Sequence, residues 1–223
     1  MRIFKYILKC VIATVLVASC DDDSEGFKYG DFNYDMVTYS GEYDSQSVFT
    51  FQSYDDSPLI TLTASNLSNP EMKVGQRLLL NYIVDKDFGD NHKVITVNGY
   101  SKITTDTILI LPQEVIDTLK RDKVKLRSVW RTGNYLNVRC DVQYTEKARR
   151  LFLASTGEPD VSGLVQAYQI QDLMDAPAYY WFGTYFSYYI APVWENVECK
   201  AFRFNIEDLT YPEVKYYDFL KEK

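Results

Sequence analysis

From Ser47 onward the chain is a succession of short segments rich in β-branched and aromatic residues, each stopped by Gly, Asn, Asp or Pro. "SVFTFQS", "LITLTA", "QRLLLNYIV", "KVITVNGYSKI", "YLNVRCDVQY" and "KAFRFNI" are representative. Runs of this length and composition form strands, and the punctuation between them supplies turns. The 19 tyrosines and 12 phenylalanines point the same way, because large rings pack well on a pleated surface. The fold class is therefore all-β. One segment breaks the rhythm. "PQEVIDTLKRD", Pro112 to Asp122, opens on proline, carries Glu114 and Asp117 early and Lys120 and Arg121 late, and sets Val115, Ile116 and Leu119 on one face. That pattern predicts a short helix.

The helix divides the strands into two groups. Residues 36–122 hold five or six, which suits a small OB-like barrel. "DKDFGDNHK", Asp85 to Lys93, reads as the tip of a hairpin within it. Residues 123–223 hold seven or so, enough for a β-sandwich. In "VECKAFRFNI" the alternation slips by one residue at Ala201–Phe202, which predicts a bulge or a strand buried on both faces.

The N-terminus belongs to neither group. Arg2, Lys5 and Lys9 precede an apolar run from Cys10 to Ala18, the layout of a secretory signal peptide. The run is too short to span a bilayer, which takes about 20 residues. It ends at Leu16-Val17-Ala18-Ser19-Cys20, which resembles a bacterial lipobox. Residues 1–19 are then a lipoprotein signal peptide and Cys20 is the lipidation site. A diacylglycerol there anchors the chain, since each buried CH₂ contributes about 0.8 kcal/mol. Asp21, Asp22, Asp23 and Glu25 open an acidic tether over 20–35 and resemble a surface-export signal. The expected location is the outer membrane with the protein surface-exposed. A periplasm-facing orientation is the alternative.

Charge and cysteine usage narrow the functions further. The formal net charge is −7 over 223 residues, and losing the three basic residues of the signal takes it to −10. A nucleic-acid partner is excluded, because phosphates call for positive charge. The basic run "LKRDKVKLRSVWR" alternates with Val124 and Leu126, as one solvated strand face does. With Cys10 removed and Cys20 lipidated, Cys140 and Cys199 remain. A disulfide between them is allowed in an export compartment, and two buried free thiols are equally compatible with their strand positions.

No catalytic set stands out. His92 is the one histidine, so no histidine-clustered metal site and no Ser-His-Asp triad is expected. Neither a metal nor a cofactor is called for. Counted from Asp85, an EF-hand loop would need glycine at position 6 and glutamate at position 12. Gly89 is at position 5 and Thr96 at position 12. Acid pairs such as Glu158 with Asp160 are what 31 acidic residues produce by chance. The aromatic segment "AYYWFGTYFSYYIAPVW" carries more information. On a strand, Tyr180, Phe182, Phe186 and Tyr188 share one face while Tyr179, Trp181, Tyr185 and Tyr189 share the other. One set enters the core. The second set, Tyr179, Trp181, Tyr185 and Tyr189, is the candidate ligand-stacking surface.

Three stretches together resemble the NigD-like lipoprotein family. They are "VGQRLLLNYIVDKDF…HKVITVNGYSKI", "VWRTGNYLNVRCDVQY" and "YYWFGTYFSYYI…KAFRFNIED", with Trp130, Gly133, Asn134 and Tyr135 the most telling positions. Residues 155–180 match only loosely. The resemblance implies a lipid anchor, an N-terminal OB-like domain and a C-terminal β-sandwich. It also implies a non-enzymatic role in protein interaction, with bacteriocin-type immunity as the specific form, and it carries over no catalytic residue. The expected partners are the membrane, through the N-terminal lipid, and an unidentified protein or peptide. A glycan held on the aromatic strand face is the alternative.

Overall fold

Alternation of apolar and polar residues sets the first body. In the computed structural model, which describes residues 32–68, 71–89, 91–146 and 149–221, five strands close into a barrel. They are β1 (Asn33–Tyr43), β2 (Gln46–Phe51), β3 (Ile60–Ala64), β4 (Arg77–Asp87) and β5 (His92–Lys102). The order around the barrel is β1-β2-β3-β5-β4, with β3 and β5 parallel and the other pairs antiparallel. Val37, Tyr39, Phe49, Leu62, Leu78, Leu80, Tyr82 and Ile95 fill its interior. Register shifts near Gly41, after Asn81 and after Val84 bend the strands, as closing so small a barrel requires. The β4–β5 link is a tight turn, with the Gly89 N–H donating to Asp87 Oδ1 at 2.9 Å. β1 starts at Asn33, inside the stretch expected to be tether. The expected signal peptide over 1–19, the expected lipidation site Cys20, and Asp21, Asp22, Asp23 and Glu25 lie outside the described residues.

The second body is a sandwich of two sheets. One has the order β14-β13-β11-β10-β7 and the other β6-β12-β9-β8. These strands are β6 (Thr104–Thr107), β7 (Leu109–Ile110), β8 (Lys125–Thr132), β9 (Tyr135–Gln143), β10 (Arg150–Ser155), β11 (Leu164–Asp172), β12 (Trp181–Tyr189), β13 (Ala201–Asn205) and β14 (Tyr216–Leu220). Their facing sides bury Leu136, Val138, Leu153, Val165, Phe186, Tyr188, Phe202 and Phe204. Barrel and sandwich together, Asn33–Lys223, form one compact unit.

The sheets change partners at Ile103, about twenty residues before the expected boundary at 122. β6 pairs in parallel with β12, and β7 in parallel with β10. The chain thus crosses from one sheet of the sandwich to the other at Ile108, which is buried in the core. The helix expected over Pro112–Asp122 is four residues long, α1 (Gln113–Ile116). Its continuation tightens into i→i−3 bonds at Thr118 and Leu119. Asp122 then joins β11: its N–H donates to the Gln171 carbonyl and its carboxylate accepts from the Leu173 N–H. α1 covers Ala154 and Ile170 with Ile116. A second short helix, α2 (Ala191–Trp194), follows β12.

The bulge expected at Ala201–Phe202 is absent. β13 pairs without a register shift on both sides. The slip in phase arises because residues before Ala201 form a turn, in which Val197 is exposed and Cys199 is buried. Cys140 and Cys199 are free buried thiols. Burial pushes the Cys140 thiol up to about 12, so it is not a ready nucleophile. Among the described residues no helix is long and apolar enough to cross a membrane.

Candidate functional site

The outer face of the β6-β12-β9-β8 sheet can be read in rows across the strands. Ser187 lies opposite Asn137, and Asn137 opposite Trp130. The next row is Tyr185, Arg139 and Ser128. Then come Gly183, Asp141 and Lys125, and last Trp181 beside Gln143. The barrel reaches the first of these rows through Arg77, which bonds Ser187 and Asn137.

Arg77 sits at the start of β4, directly ahead of Leu78, Leu79 and Leu80, and is 2% exposed. Its guanidinium donates to Ser187 Oγ at 3.2 Å, to Asn137 Oδ1 at 3.0 Å, and to the Met36 carbonyl and Thr38 Oγ1 at 3.3 and 3.2 Å. It also lies over the Tyr135 ring at 4.4 Å. Burial lowers its pKa to about 10, so it remains cationic at neutral pH. A second latch is Arg131, also 2% exposed. It grips Asp56 with two bonds of 2.8 and 2.6 Å and stacks on Trp194 at 4.3 Å. Glycine suits position 133: φ is +53°, a region that favours glycine, and a Cβ there would require the Gln52 side chain to move. Tyr135 under Arg77 completes the joint, and Asn134 bonds Glu195 within the sandwich. Two of the four positions most telling for the resemblance, Gly133 and Tyr135, are therefore devices of the barrel–sandwich junction; Asn134 ties the β8–β9 turn to the end of α2 within the sandwich, and Trp130 lines the hollow beside the junction.

Where the barrel ends, a groove of about 460 Å³ opens. Tyr34, Met36 and Leu79 come from the barrel; Trp130, Arg139 and Tyr185 come from the sheet. A second hollow of about 340 Å³ continues it over Leu79, Asn81 and Tyr100. At the barrel wall, burial raises the Asp35 carboxyl above its ordinary value, and Tyr82 Oη donates to it at 2.8 Å.

The four aromatic candidates do not form a bare row. Tyr179 is 58% exposed but precedes β12 and packs on Tyr144 at 6.5 Å. Trp181 lies under Lys125 Nζ at 4.4 Å, and Tyr185 under the Arg139 guanidinium at 5.4 Å. Tyr189 packs against Tyr135 at 5.4 Å, at the end the barrel covers. Tyr185 alone of the four lines the groove. On the opposite face Phe186 and Tyr188 are core, as the alternation requires, whereas Tyr180 is exposed and stacks on Tyr144 at 4.9 Å.

Arg127 pairs with Asp141, which holds that carboxyl below its ordinary range. Arg139 makes no ion pair among the described residues. The arrangement offers broad rings, cations and hydrogen-bond groups, which suits binding. His92 is bonded to Thr63 at 3.0 Å and stacked on Phe88. Among the described residues no cluster of three or more His, Cys, Asp or Glu could hold a metal.

The Arg131–Asp56 latch carries a pH signature. Arg131 lowers the Asp56 pKa below 3.8. Asp56 therefore binds its proton less readily folded than unfolded. The contribution is complete above about pH 4 and is lost as pH falls through the lowered value. Asp56→Asn is expected to weaken the protein at pH 7 and to close much of its gap to the wild type at pH 3. Urea titrations at the two pH values check this.

No family model matches the sequence and no curated protein does. Solved structures do. A DUF1344 protein of unknown function from Bacteroides vulgatus superposes with a TM-score of 0.68 at 16% identity, over 86% of this chain and 90% of that one. A candidate lipoprotein from Bacteroides fragilis gives 0.61 at 11% identity, over 86% and 98%. A NigD-like immunity protein from Bacteroides caccae gives 0.55 at 16% identity, over 88% and 100%. The chain has the NigD-like fold. The barrel-then-sandwich architecture implied by the sequence resemblance is thus present, and the likeness covers nearly all of each NigD-like or related chain.

Sequence reasoning missed Tyr34, Arg139, Tyr144 and the two latches. The signal for Arg77 was in view: a lone charge at the head of "RLLLNYIV" must find partners if that strand is central. Arg139 interrupts "YLNVRCDV" in the same way, on the face opposite the core.

Proposed function

We propose that the chain is a lipid-anchored envelope protein that acts by binding and not by catalysis. Its partner is a protein or peptide held in the groove between barrel and sheet. Bacteriocin-type immunity, with a peptide toxin as the partner, is the specific form. The carrying observation is the groove itself, whose walls are fixed by the Arg77 and Arg131 latches. A preformed site avoids much of the ordering cost of binding. The structural likeness to a NigD-like immunity protein and to a candidate lipoprotein supports the same reading. The acidic block after Cys20 favours the cell surface over the periplasmic side, and protease shaving of intact cells separates the two.

Trp130→Ala with Tyr185→Ala removes two rings from the groove. Aromatic anchors at interface centres are worth about 2 kcal/mol or more each. The double variant is therefore expected to weaken partner binding more than tenfold while the protein stays folded. The readouts are toxin sensitivity of cells carrying the variant, and crosslinking from the groove. Unchanged sensitivity on deleting the gene, together with no crosslinked partner, would sink the immunity reading.

The Tyr144, Tyr179 and Tyr180 cluster supports a second reading, a glycan-binding surface protein. Exposed rings present flat faces to sugars. Glycan binding lost in Tyr180→Ala but kept in Trp130→Ala would favour it.

A further inference from the structure

The outer edge of β8 is closed at both ends and open between them. At one end Asp55 acts as a single residue of parallel strand. Its N–H donates to the Arg131 carbonyl at 3.0 Å, and its carbonyl accepts from the Gly133 N–H at 2.6 Å. At the other end Val124 pairs in the same manner with the segment around Asp208. The Val124 N–H donates to the Glu207 carbonyl, the Leu209 N–H donates to the Val124 carbonyl, and Asp208 Oδ1 accepts from the Leu126 N–H at 2.9 Å. Backbone groups alternate sides along a strand. Since the Arg131 carbonyl points outward, so do the Arg131 N–H and both backbone groups of Val129. None of these three has a hydrogen-bond partner among the described residues.

In front of them lies a cleft of about 700 Å³. Tyr54 and Asp55 flank it, and Phe219 and Leu220 of β14, the edge strand of the other sheet, face it. The cleft shares Ser53 and Trp130 with the groove described above. The open stretch, Arg127–Trp130, spans roughly 13 Å at about 3.3 Å per residue. Two guanidinium groups nearby are already consumed: Arg131 by Asp56, and Arg203 by Asp218 at 2.7 Å. Asp55 makes a looser ion pair with Arg131 at 3.7 Å and is largely exposed, so Asp55 and Asp56 together leave one negative charge in excess of Arg131 at the rim.

We propose that the open middle of β8 accepts an extended peptide strand of three to five residues, backbone to backbone, with a basic side chain directed to Asp55. An unpaired strand edge is a template for such addition. The two bridging segments limit it to a short strand, and the apolar wall at Phe219 and Leu220 takes the side chains that point into the cleft. This site adjoins the groove at Ser53 and Trp130 but does not depend on the groove's having a ligand.

The test is amide NMR on the ¹⁵N-labelled mature chain in detergent micelles. The probe is an acetylated, amidated Thr-Val-Lys-Val-Thr peptide. Saturable shifts are expected at the Val129 and Arg131 amides. They should vanish with a probe N-methylated at alternate residues, and binding should be about fivefold weaker with glutamate in place of lysine. Val129→Pro removes an outward N–H without breaking the β8–β9 ladder, a position where proline is tolerated; the shifts at Arg131 should disappear. Should that variant misfold, Asp55→Lys serves instead, and is expected to reverse the preference from lysine to glutamate. Absence of saturable shifts at Val129 and Arg131, or equal shifts with the N-methylated probe, overturns the proposal. Shifts confined to the Arg139 and Tyr185 amides would do so too, while leaving the groove reading intact. A concentration-dependent dimer that protects Val129 without added probe would assign the edge to a second copy and overturn it as well.

Discussion

Replacing Arg77 with alanine is expected to destabilise the folded chain by about 3–4 kcal/mol and to split its unfolding into two steps. The guanidinium supplies four hydrogen bonds at the barrel–sandwich joint, and two of them cross it to Asn137 and Ser187 of the sheet. Asn137 keeps a donor from Ser187 at 2.8 Å and gives its own N–H to Thr132 at 2.9 Å. The Met36 carbonyl and Thr38 hydroxyl lose the arginine as a donor. A buried group left unsatisfied costs about 1–3 kcal/mol. Against this, removing the charge relieves its desolvation cost, the cause of its lowered pKa. The opposing terms explain why the expected loss is less than four charged hydrogen bonds would suggest.

Two further variants separate packing from charge. Arg77→Met keeps most of the stem, so it isolates the guanidinium and should lose less than the alanine variant. A double-mutant cycle of Arg77→Ala with Asn137→Ala should show coupling of about 1–2 kcal/mol, as expected for direct contact. Wild-type urea unfolding should be a single transition, since Arg77 and Arg131 tie the bodies together. In Arg77→Ala the barrel and the sandwich should part, and tryptophan fluorescence, which sees only the sandwich and its surface, should no longer coincide with far-UV circular dichroism. A loss below 1 kcal/mol with one coincident transition would show that the latch does not couple the two bodies.

Local pattern carried much of this architecture and little of its site. Strands such as β4 and β9 were legible because one face is buried and the other is not, and a period of two records that directly. β6 was not legible: "TTDT" is exposed along its whole length and becomes a strand only by pairing with β12, some eighty residues away. β14 is similar, an edge strand with alternately exposed residues. The helix was overextended because its tail has helical composition, yet Asp122 gains more by bonding to β11. At the site, alternation correctly split the aromatic segment into two faces. It could not show that Lys125 and Arg139, from neighbouring strands, lie over Trp181 and Tyr185. Register across strands decides that, and register is a non-local property. The latches were hidden for the same reason, since each joins residues 60 to 110 positions apart.

The other large expected effect lies at the N-terminus. Cys20→Ser should abolish acyl incorporation and move the protein from the detergent phase to the aqueous phase. A thioether-linked diacylglycerol carries two chains, and at about 0.8 kcal/mol per buried CH₂ two chains hold a protein at a bilayer against any realistic dilution. Charge does not supply that affinity: the formal net charge of the sequence is −7, which an anionic surface repels. The apolar run from Cys10 to Ala18 is too short to span a bilayer, so an uncut signal would hold the serine variant far less firmly. Labelled palmitate distinguishes the two modes of retention. An uncut serine variant stays unlabelled wherever it fractionates, whereas the wild type is labelled. Label on the serine variant would remove Cys20 as the lipid site and with it the anchor on which the surface reading depends. Loss of label together with retained folding, judged by an unchanged urea midpoint, would make the tether and the two β bodies separable: one sets where the protein is, the other what it holds.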